Sequence, residues 1–110
     1  MKCRINFSEN MLTAYLEGEI DHHSVKPVRE EIDNTIDRLQ PKALALDFSG
    51  VTFMDSSGIG LVMGRYKTIN ELDGELAITN TSPGIGKVMR LAGMERLAKI
   101  GMEELANETN

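Results

Sequence analysis

Residues 43–48 read Ala-Leu-Ala-Leu-Asp-Phe, and a few positions later residues 55–58 read Asp-Ser-Ser-Gly. The first stretch is a short, almost unbroken apolar run, which is typical of a central strand buried on both faces. The sequence therefore predicts a strand that leads into a helix, with two serines and an aspartate at the junction. After the serines, apolar residues recur at the spacing of a helix: Ile59, Val62, Met63, Tyr66 and Ile69.

The segments before this junction predict a β-hairpin and a helix. Residues 2–7 and 12–17 alternate apolar with polar side chains around a short polar turn, as in an antiparallel pair with one buried face. Residues 17–23 are predicted to be a polar connection. Ser24 then stands where the N-cap of a first helix belongs, and Pro41 ends that helix.

The segments after the junction continue the alternation of helices and strands. The resulting order, β-β-α-β-α-β-α-β-α, predicts an α/β fold. In this fold an N-terminal antiparallel hairpin leads into a largely parallel sheet, with about four helices on one or both faces. Five elements are predicted after residue 55: the helix that follows the serines, a strand at 75–79, a helix opened by Ser82-Pro83, a strand at 97–100 and a terminal helical turn at 102–106.

Size, charge and cysteine content narrow the class of protein. The 110 residues suffice for one domain, predicted over 1–106, with a frayed tail at 107–110. A net charge of -5 argues against non-specific binding of nucleic acid or anionic membranes, because both need a basic surface. Cys3 has no partner for an internal disulfide and is interpreted as a small core residue. Without a membrane-spanning stretch or a signal-peptide pattern, we expect a cytoplasmic protein.

The two serines at the junction allow two interpretations. Serine is a preferred N-cap, and a hydroxyl at a helix start commonly has only that role. One serine is enough for the cap, however, and the second lies beside Asp55 at an exposed junction. Because the first N–H groups of a helix lack internal partners and favour negative charge, a hydroxyl there can also carry a phosphate. Composition and spacing do not choose between Ser56 and Ser57.

Catalytic and cofactor chemistry is poorly supported by the same residues. The glycines between 58 and 64 are spaced wrongly for a dinucleotide fingerprint, and Met54 stands where a nucleophile elbow needs glycine. Residues 21–23, Asp-His-His, hold the only candidate bases, and adjacent residues rarely converge on one metal ion. Arg65 and Lys67 are interpreted as charges on the helix surface. We therefore predict no catalytic residue, no metal and no cofactor.

Three strings of residues resemble a known family. They are 18–24, Gly-Glu-Ile-Asp-His-His-Ser; 47–60, Asp-Phe-Ser-Gly-Val-Thr-Phe-Met-Asp-Ser-Ser-Gly-Ile-Gly; and 64–67, Gly-Arg-Tyr-Lys. Together they resemble the STAS domain, and the resemblance covers nearly all of the chain. More narrowly, the chain is similar to the sporulation branch of anti-anti-sigma factors, the antagonists of the anti-sigma-F factor. The resemblance implies a STAS-type mixed sheet.

The resemblance also implies a mechanism. The unphosphorylated protein would bind an anti-sigma factor that is itself an ATP-dependent serine kinase, and so release the sigma factor. The kinase would phosphorylate the first serine of the string, here Ser56, and a dedicated phosphatase would reverse the reaction. The protein would then be a substrate and a binding module rather than an enzyme. The alternative is a small nucleotide-binding or hydrolytic α/β domain that uses the Ser-Ser-Gly-x-Gly junction at 56–60.

The topology places a second segment beside the serine junction. In a largely parallel sheet, loops after strand carboxyl ends gather at one edge, and both the segment 18–24 and the junction follow strand ends. Asp21 is then the candidate for pairing with a basic residue of the partner; alternatively, Asp21 and Ser24 only cap the first helix. The expected partner-binding residues are Asp21, His22, Asp55, Ser56, Ser57, Gly58 and Gly60.

Overall fold

Five strands form one mixed sheet in the computed structural model, which describes residues 1–101. The strands lie side by side in chain order. β1 and β2 pair antiparallel, and each later pair is parallel. The predicted hairpin and the largely parallel sheet are therefore confirmed. The bounds are Lys2–Ser8 (β1), Met11–Ile20 (β2), Ala43–Met54 (β3), Glu75–Thr79 (β4) and Lys99–Gly101 (β5).

Three α-helices and one short 3-10 helix accompany the sheet. They are Val25–Leu39 (α1), Ser56–Glu71 (α2), Pro83–Leu91 (α3) and the 3-10 helix Met94–Arg96. Helices α1 and α2 contact each other, and right-handed crossovers between strands in sequential order place successive helices on one face. The terminal turn predicted at 102–106 and the tail at 107–110 lie outside the described residues. Within residues 1–101, each helix is too short or too polar to span a bilayer.

Rows of apolar side chains between the sheet and the helices form the core. The register across three parallel strands aligns equivalent positions, so each row crosses β2, β3 and β4. The opposite face of these strands carries the more polar row Tyr15, Asp47 and Thr79. Two buried rows face the helices: Leu12, Leu44 and Leu76, and next to them Ala14, Leu46 and Ile78.

Two strands run further than the sequence predicted. β2 continues to Ile20, which is fully buried, so residues 18–20 belong to a strand and not to a polar connection. β3 continues to Met54 instead of ending at residue 48. Register shifts between β2 and β3 interrupt the alternation in this extension, which hides it in the sequence pattern. At one of them Gly50 permits a close approach, since a Cβ there would lie 3.0 Å from the Leu16 carbonyl oxygen.

Helix α2 turns a different face inward from the one predicted. The apolar pattern placed Met63 inside and Arg65 on the surface. In the structure Met63 is 50% exposed, whereas the Arg65 side chain is only 6% exposed. The Arg65 Nε atom lies 2.8 Å from Oδ1 of Asp33 on α1, and this carboxylate supplies the counter-charge that a buried guanidinium needs. The interpretation of Arg65 as a surface charge is therefore wrong, while Lys67 is exposed as predicted.

Candidate functional site

Asp55, and not a serine, is the N-cap of α2. Its Oδ1 atom accepts hydrogen bonds from the backbone N–H of Ser57 (2.8 Å) and from the Ser57 hydroxyl (2.5 Å). These hydrogen bonds, from the Ser57 hydroxyl first, lower the pKa of Asp55 below its ordinary value, and His22 contributes further. The expectation of a serine cap is wrong, because a carboxylate both satisfies free N–H groups and complements the positive end of the helix dipole.

The two serines differ sharply in this geometry. The Ser57 hydroxyl donates its proton to Asp55, so this side chain is part of the start of the helix. Ser56 is exposed, and its hydroxyl makes no hydrogen bond within the described part of the chain. A reagent or partner approaching the junction therefore meets Ser56 first. Sequence spacing could not distinguish the two serines, because the difference comes from the aspartate cap.

Asp21 organises the turn between β2 and α1. Its Oδ1 atom accepts hydrogen bonds from the backbone N–H groups of His23 (3.0 Å) and Ser24 (2.9 Å) and from the Ser24 hydroxyl (2.9 Å). These bonds, led by that of the Ser24 hydroxyl, lower the pKa of Asp21. Ser24 occupies the N-cap position of α1 as predicted, but its side chain makes no capping bond because it turns back toward Asp21.

Parallel pairing brings this turn next to the serine junction. Ile20 pairs with Met54 at the ends of β2 and β3, and the Asp55 backbone N–H donates to the Ile20 carbonyl oxygen (3.0 Å). The His22 Nδ1 atom lies 3.9 Å from the Oδ2 atom of Asp55. Asp21, His22, Asp55 and the two serines therefore share one edge of the sheet.

The glycines of the junction have different roles. Gly58 is buried, and a Cβ at this position would collide with the Sδ and Cγ atoms of Met54, so Gly58 supports packing beneath the junction. Gly60 is exposed, and a Cβ there would meet open space. The same holds for the environment of Gly64, one helical turn further. Beyond Ser56, α2 therefore has no side chain at Gly60 and Gly64, and a Cβ at either position would meet no other atom of the described chain.

A buried carboxylate in the first half of β3 was not identified as important from the sequence. Asp47, 5% exposed in β3, accepts hydrogen bonds from the backbone N–H and hydroxyl of Ser49 (3.0 and 2.6 Å), from the Thr79 hydroxyl (3.0 Å) and from the Asn80 amide (2.6 Å). Burial opposes ionisation, but the hydrogen bonds outweigh it and lower the pKa of Asp47. The sequence did contain a signal for this network, because a single charged residue inside an apolar run needs hydrogen-bonding or charged partners.

The remaining polar groups do not assemble a reactive centre at the junction. Within residues 1–101 no three His, Cys, Asp or Glu side chains come close enough to hold a metal ion. Burial raises the pKa of the half-buried Cys3 thiol to about 12, so it is protonated at neutral pH. Two cavities, of about 310 and 380 Å³, open elsewhere; residues including Tyr15 and Ser49 line the first, and Tyr66 and Arg96 the second.

Comparison with known proteins identifies a family. The family model of the STAS domain matches residues 2–105. An anti-sigma F factor antagonist of Paenibacillus polymyxa is 33% identical over 100 residues, which cover 91% of this chain and 86% of the relative. An anti-sigma-B factor antagonist of Staphylococcus aureus strain NCTC 8325 is 31% identical over 83 residues, which cover 76% of each chain.

Solved structures agree with the sequence relatives. The unphosphorylated form of the anti-sigma factor antagonist SpoIIAA superimposes with a TM-score of 0.80 at 29% identity and covers 98% of this chain and 95% of that one. The phosphorylated form of the Bacillus cell fate determinant SpoIIAA gives a TM-score of 0.74, also at 29% identity, and covers 98% of each chain. The same fold therefore accommodates both states of that protein.

Proposed function

This chain belongs to the STAS domain family, and we propose that it is an anti-sigma factor antagonist switched off by phosphorylation of Ser56. In its unphosphorylated form it binds an anti-sigma factor through the edge formed by the Asp21 turn and the start of α2. The observation that carries the proposal is the exposed, unbonded Ser56 hydroxyl beside this turn. The related SpoIIAA exists in unphosphorylated and phosphorylated forms, which supports the same kind of switch here.

Simple electrostatics supports such a switch without refolding. A phosphate adds about -1.5 to -2 charges at neutral pH, and the N-terminus of α2 can hold them. The same charge at the centre of an interface must lose its water, and it adds to the negative charges of Asp55 and Asp21 at the same edge of the sheet. Partner binding is therefore weakened while the fold stays the same.

The proposal assigns the chemistry to the partners. The anti-sigma factor carries serine kinase activity and holds the ATP, and a serine phosphatase restores the hydroxyl. The protein itself is a binding module that acts in the cytoplasm, without a cofactor. The alternative is a nucleotide-binding or hydrolytic domain that uses the serine junction. Calorimetry with ATP and GTP tests that alternative, because tight binding by the isolated protein would support it.

The direct test is to incubate the protein with the anti-sigma factor of its own organism and ATP, and to map the phosphate by peptide mass spectrometry. We expect one phosphate on Ser56, none in Ser56→Ala, and unchanged modification in Ser57→Ala once its helicity is verified. Phosphate on Ser57 in a protein with intact Ser56 would reverse the assignment. No phosphorylation of the wild type by an active kinase would remove the proposal.

Asp21→Asn is expected to weaken binding to the anti-sigma factor with little change in melting temperature. Asparagine keeps an acceptor oxygen for the His23 and Ser24 N–H groups, so the turn is preserved, but the negative charge is lost. The loss of affinity should be several-fold at low salt and should shrink as salt screens the pair. Titrations at two salt concentrations measure it. A lower melting temperature with unchanged binding of the folded protein would show that Asp21 only caps the first helix.

Gly60→Ala is expected to stabilise the protein and to weaken partner binding. Glycine inside a helix costs about 1 kcal/mol relative to alanine, and nothing in this chain contacts a Cβ at this position. A partner that packs closely against α2 at Gly60 would meet the added methyl group. We expect a melting temperature a few degrees higher, by roughly 4 °C per kcal/mol, and a roughly tenfold weaker complex.

Gly84→Ala is the matched control for Gly60→Ala. Gly84 also faces open space, but it lies in α3. The Gly84→Ala substitution should stabilise the protein without changing its affinity for the partner. Equal affinities of wild type, Gly60→Ala and Gly84→Ala would place the partner elsewhere than on α2.

A further inference from the structure

The apolar pattern of α2 is compatible with two rotations of the helix about its axis. One rotation buries Ile59, Val62, Met63, Tyr66 and Ile69, as the sequence predicts. The observed rotation buries Gly58, Leu61, Val62, Arg65 and Ile69 instead. With about 100° of turn per residue, the two inward faces differ by roughly a quarter turn. Val62 and Ile69 are common to both faces, and Ile59 and Tyr66 still pack partly buried against the core in the observed rotation. The main apolar exchange is therefore Leu61 for Met63, and hydrophobic burial decides weakly between the two rotations.

The ion pair between Arg65 and Asp33 distinguishes the two rotations. Nε of Arg65 lies 2.8 Å from Oδ1 of Asp33, and the arginine side chain is 6% exposed while the aspartate side chain is 38% exposed. Nε and Nη1 of Arg65 and Oδ1 of Asp33 are buried without a partner of hydrogen-bond geometry among residues 1–101, so the contact is an ion pair and not a hydrogen bond. A guanidinium this deeply buried needs its carboxylate, so the observed rotation depends on Asp33. In the other rotation Arg65 lies on the flank of the helix, where water can reach it.

The rotation of α2 also decides which serine is exposed. In the observed rotation the outward line of the helix runs through Ser56, Met63 and Lys67, all of which are exposed. A quarter turn moves that line to Ser57 and Gly64 and brings Met63 inward. The face of α2 offered to a partner and the identity of the accessible hydroxyl are therefore set by the same angle.

We infer that Arg65 is a positioning residue, which through Asp33 fixes the rotation of α2 and thereby selects Ser56 over Ser57 as the accessible hydroxyl. The selection of a phosphorylation site rests on the proposed function, but the rotation does not. A buried ion pair is a poor source of stability and a well-attested means of fixing one arrangement among near-equal ones. This role explains why Arg65 lies on the inward face of α2, although the apolar pattern alone would place it on the flank of the helix.

Methionine oxidation tests the rotation without any partner. Met63 and Met11 are 50% and 44% exposed, so dilute peroxide should oxidise them at similar rates in the wild type, and Met11 on the hairpin is an internal standard. In Arg65→Gln and in Asp33→Asn we expect the rate of Met63 relative to Met11 to fall about threefold or more, because without the ion pair the polar residue at position 65 favours the flank and the helix turns Met63 inward. Lys26→Leu, which removes an exposed ion pair with Glu30 on α1, is the control and should leave the ratio unchanged.

A folded Arg65→Gln or Asp33→Asn protein with the wild-type oxidation ratio would overturn the inference. Two variants are used so that unfolding of one leaves the other to decide, and circular dichroism identifies the folded ones. Phosphorylation supplies the second measurement: the share of phosphate on Ser57 should rise in the same variants, whereas a merely structural role would lower the melting temperature and leave the site unchanged. If wild-type Ser56 is not phosphorylated, the proposed function fails while the oxidation ratio still tests the rotation.

Discussion

Ser56→Asp is expected to bind the anti-sigma factor about 30-fold more weakly than the wild type, a loss of about 2 kcal/mol. The substitution places a carboxylate at the exposed position of Ser56, which follows Asp55 in the chain and lies at the same edge of the sheet as Asp21. Within an interface this charge loses its water and meets like charges. Phosphoserine carries nearly twice the charge and should weaken the complex further, by about 150-fold if it costs about 3 kcal/mol.

Ser56→Ala is the matched control, and it should bind like the wild type. Alanine removes a hydroxyl that has no hydrogen-bond partner within the described chain, so neither the cap nor the core changes. Titration calorimetry with the unmodified anti-sigma factor compares the three proteins, and circular dichroism verifies that each is folded. Equal affinities of the wild type, Ser56→Ala and Ser56→Asp would eliminate the electrostatic part of the switch.

The sequence predicted the architecture because most elements carry regular patterns. The alternation in β1 and β2, the apolar run that begins β3 and the Ser82-Pro83 start of α3 all appear at the expected places. Ser82 accepts a hydrogen bond from the Ile85 N–H, as an N-cap should. Gly93 follows α3 with a positive φ of 81°, which few other residues adopt easily.

The errors have a common physical cause, which is that long-range contacts override local pattern. The second half of β3 was not predicted, because β-bulges interrupt the alternation of apolar and polar residues that indicates a strand. The inward face of α2 was missed because an ion pair with a residue 32 positions earlier, Asp33, buries Arg65. Neither contact is visible in a window of ten residues.

In the candidate site, too, one feature could be predicted from the sequence and another could not. The neighbourhood of the Asp21 turn and the serine junction followed from topology, since parallel strands end at one edge. The difference in hydrogen bonding between Ser56 and Ser57 could not be predicted, because it depends on which side chain caps α2. The sequence shows an aspartate, which is a preferred N-cap residue, immediately before the two serines. Serine is an equally good cap by residue type, so the sequence did not identify the capping residue.

Asp47→Ala is expected to lower the free energy of unfolding by about 3 kcal/mol, and the melting temperature by roughly 10 °C or more. Removal of the carboxylate leaves donors of Ser49, Thr79 and Asn80 without an acceptor on a strand where Asp47 itself is only 5% exposed. These bonds join β3 to the end of β4 and to the residue that follows it, so their loss loosens the pairing of these two strands. Asp37→Ala, at an exposed position of α1, is the control and should change stability little.

The same network makes a part of the stability depend on pH. The pKa of Asp47 is lower in the folded protein than in the unfolded chain, so its contribution is present above the unfolded value near pH 4 and is lost as pH falls through the folded value. Urea denaturation from pH 7 to pH 3 should show a steeper loss of stability in the wild type than in Asp47→Asn, which cannot ionise. Parallel pH profiles of the two proteins would mean that the carboxylate is not held ionised by its donors, and that the amide satisfies Ser49, Thr79 and Asn80 equally well.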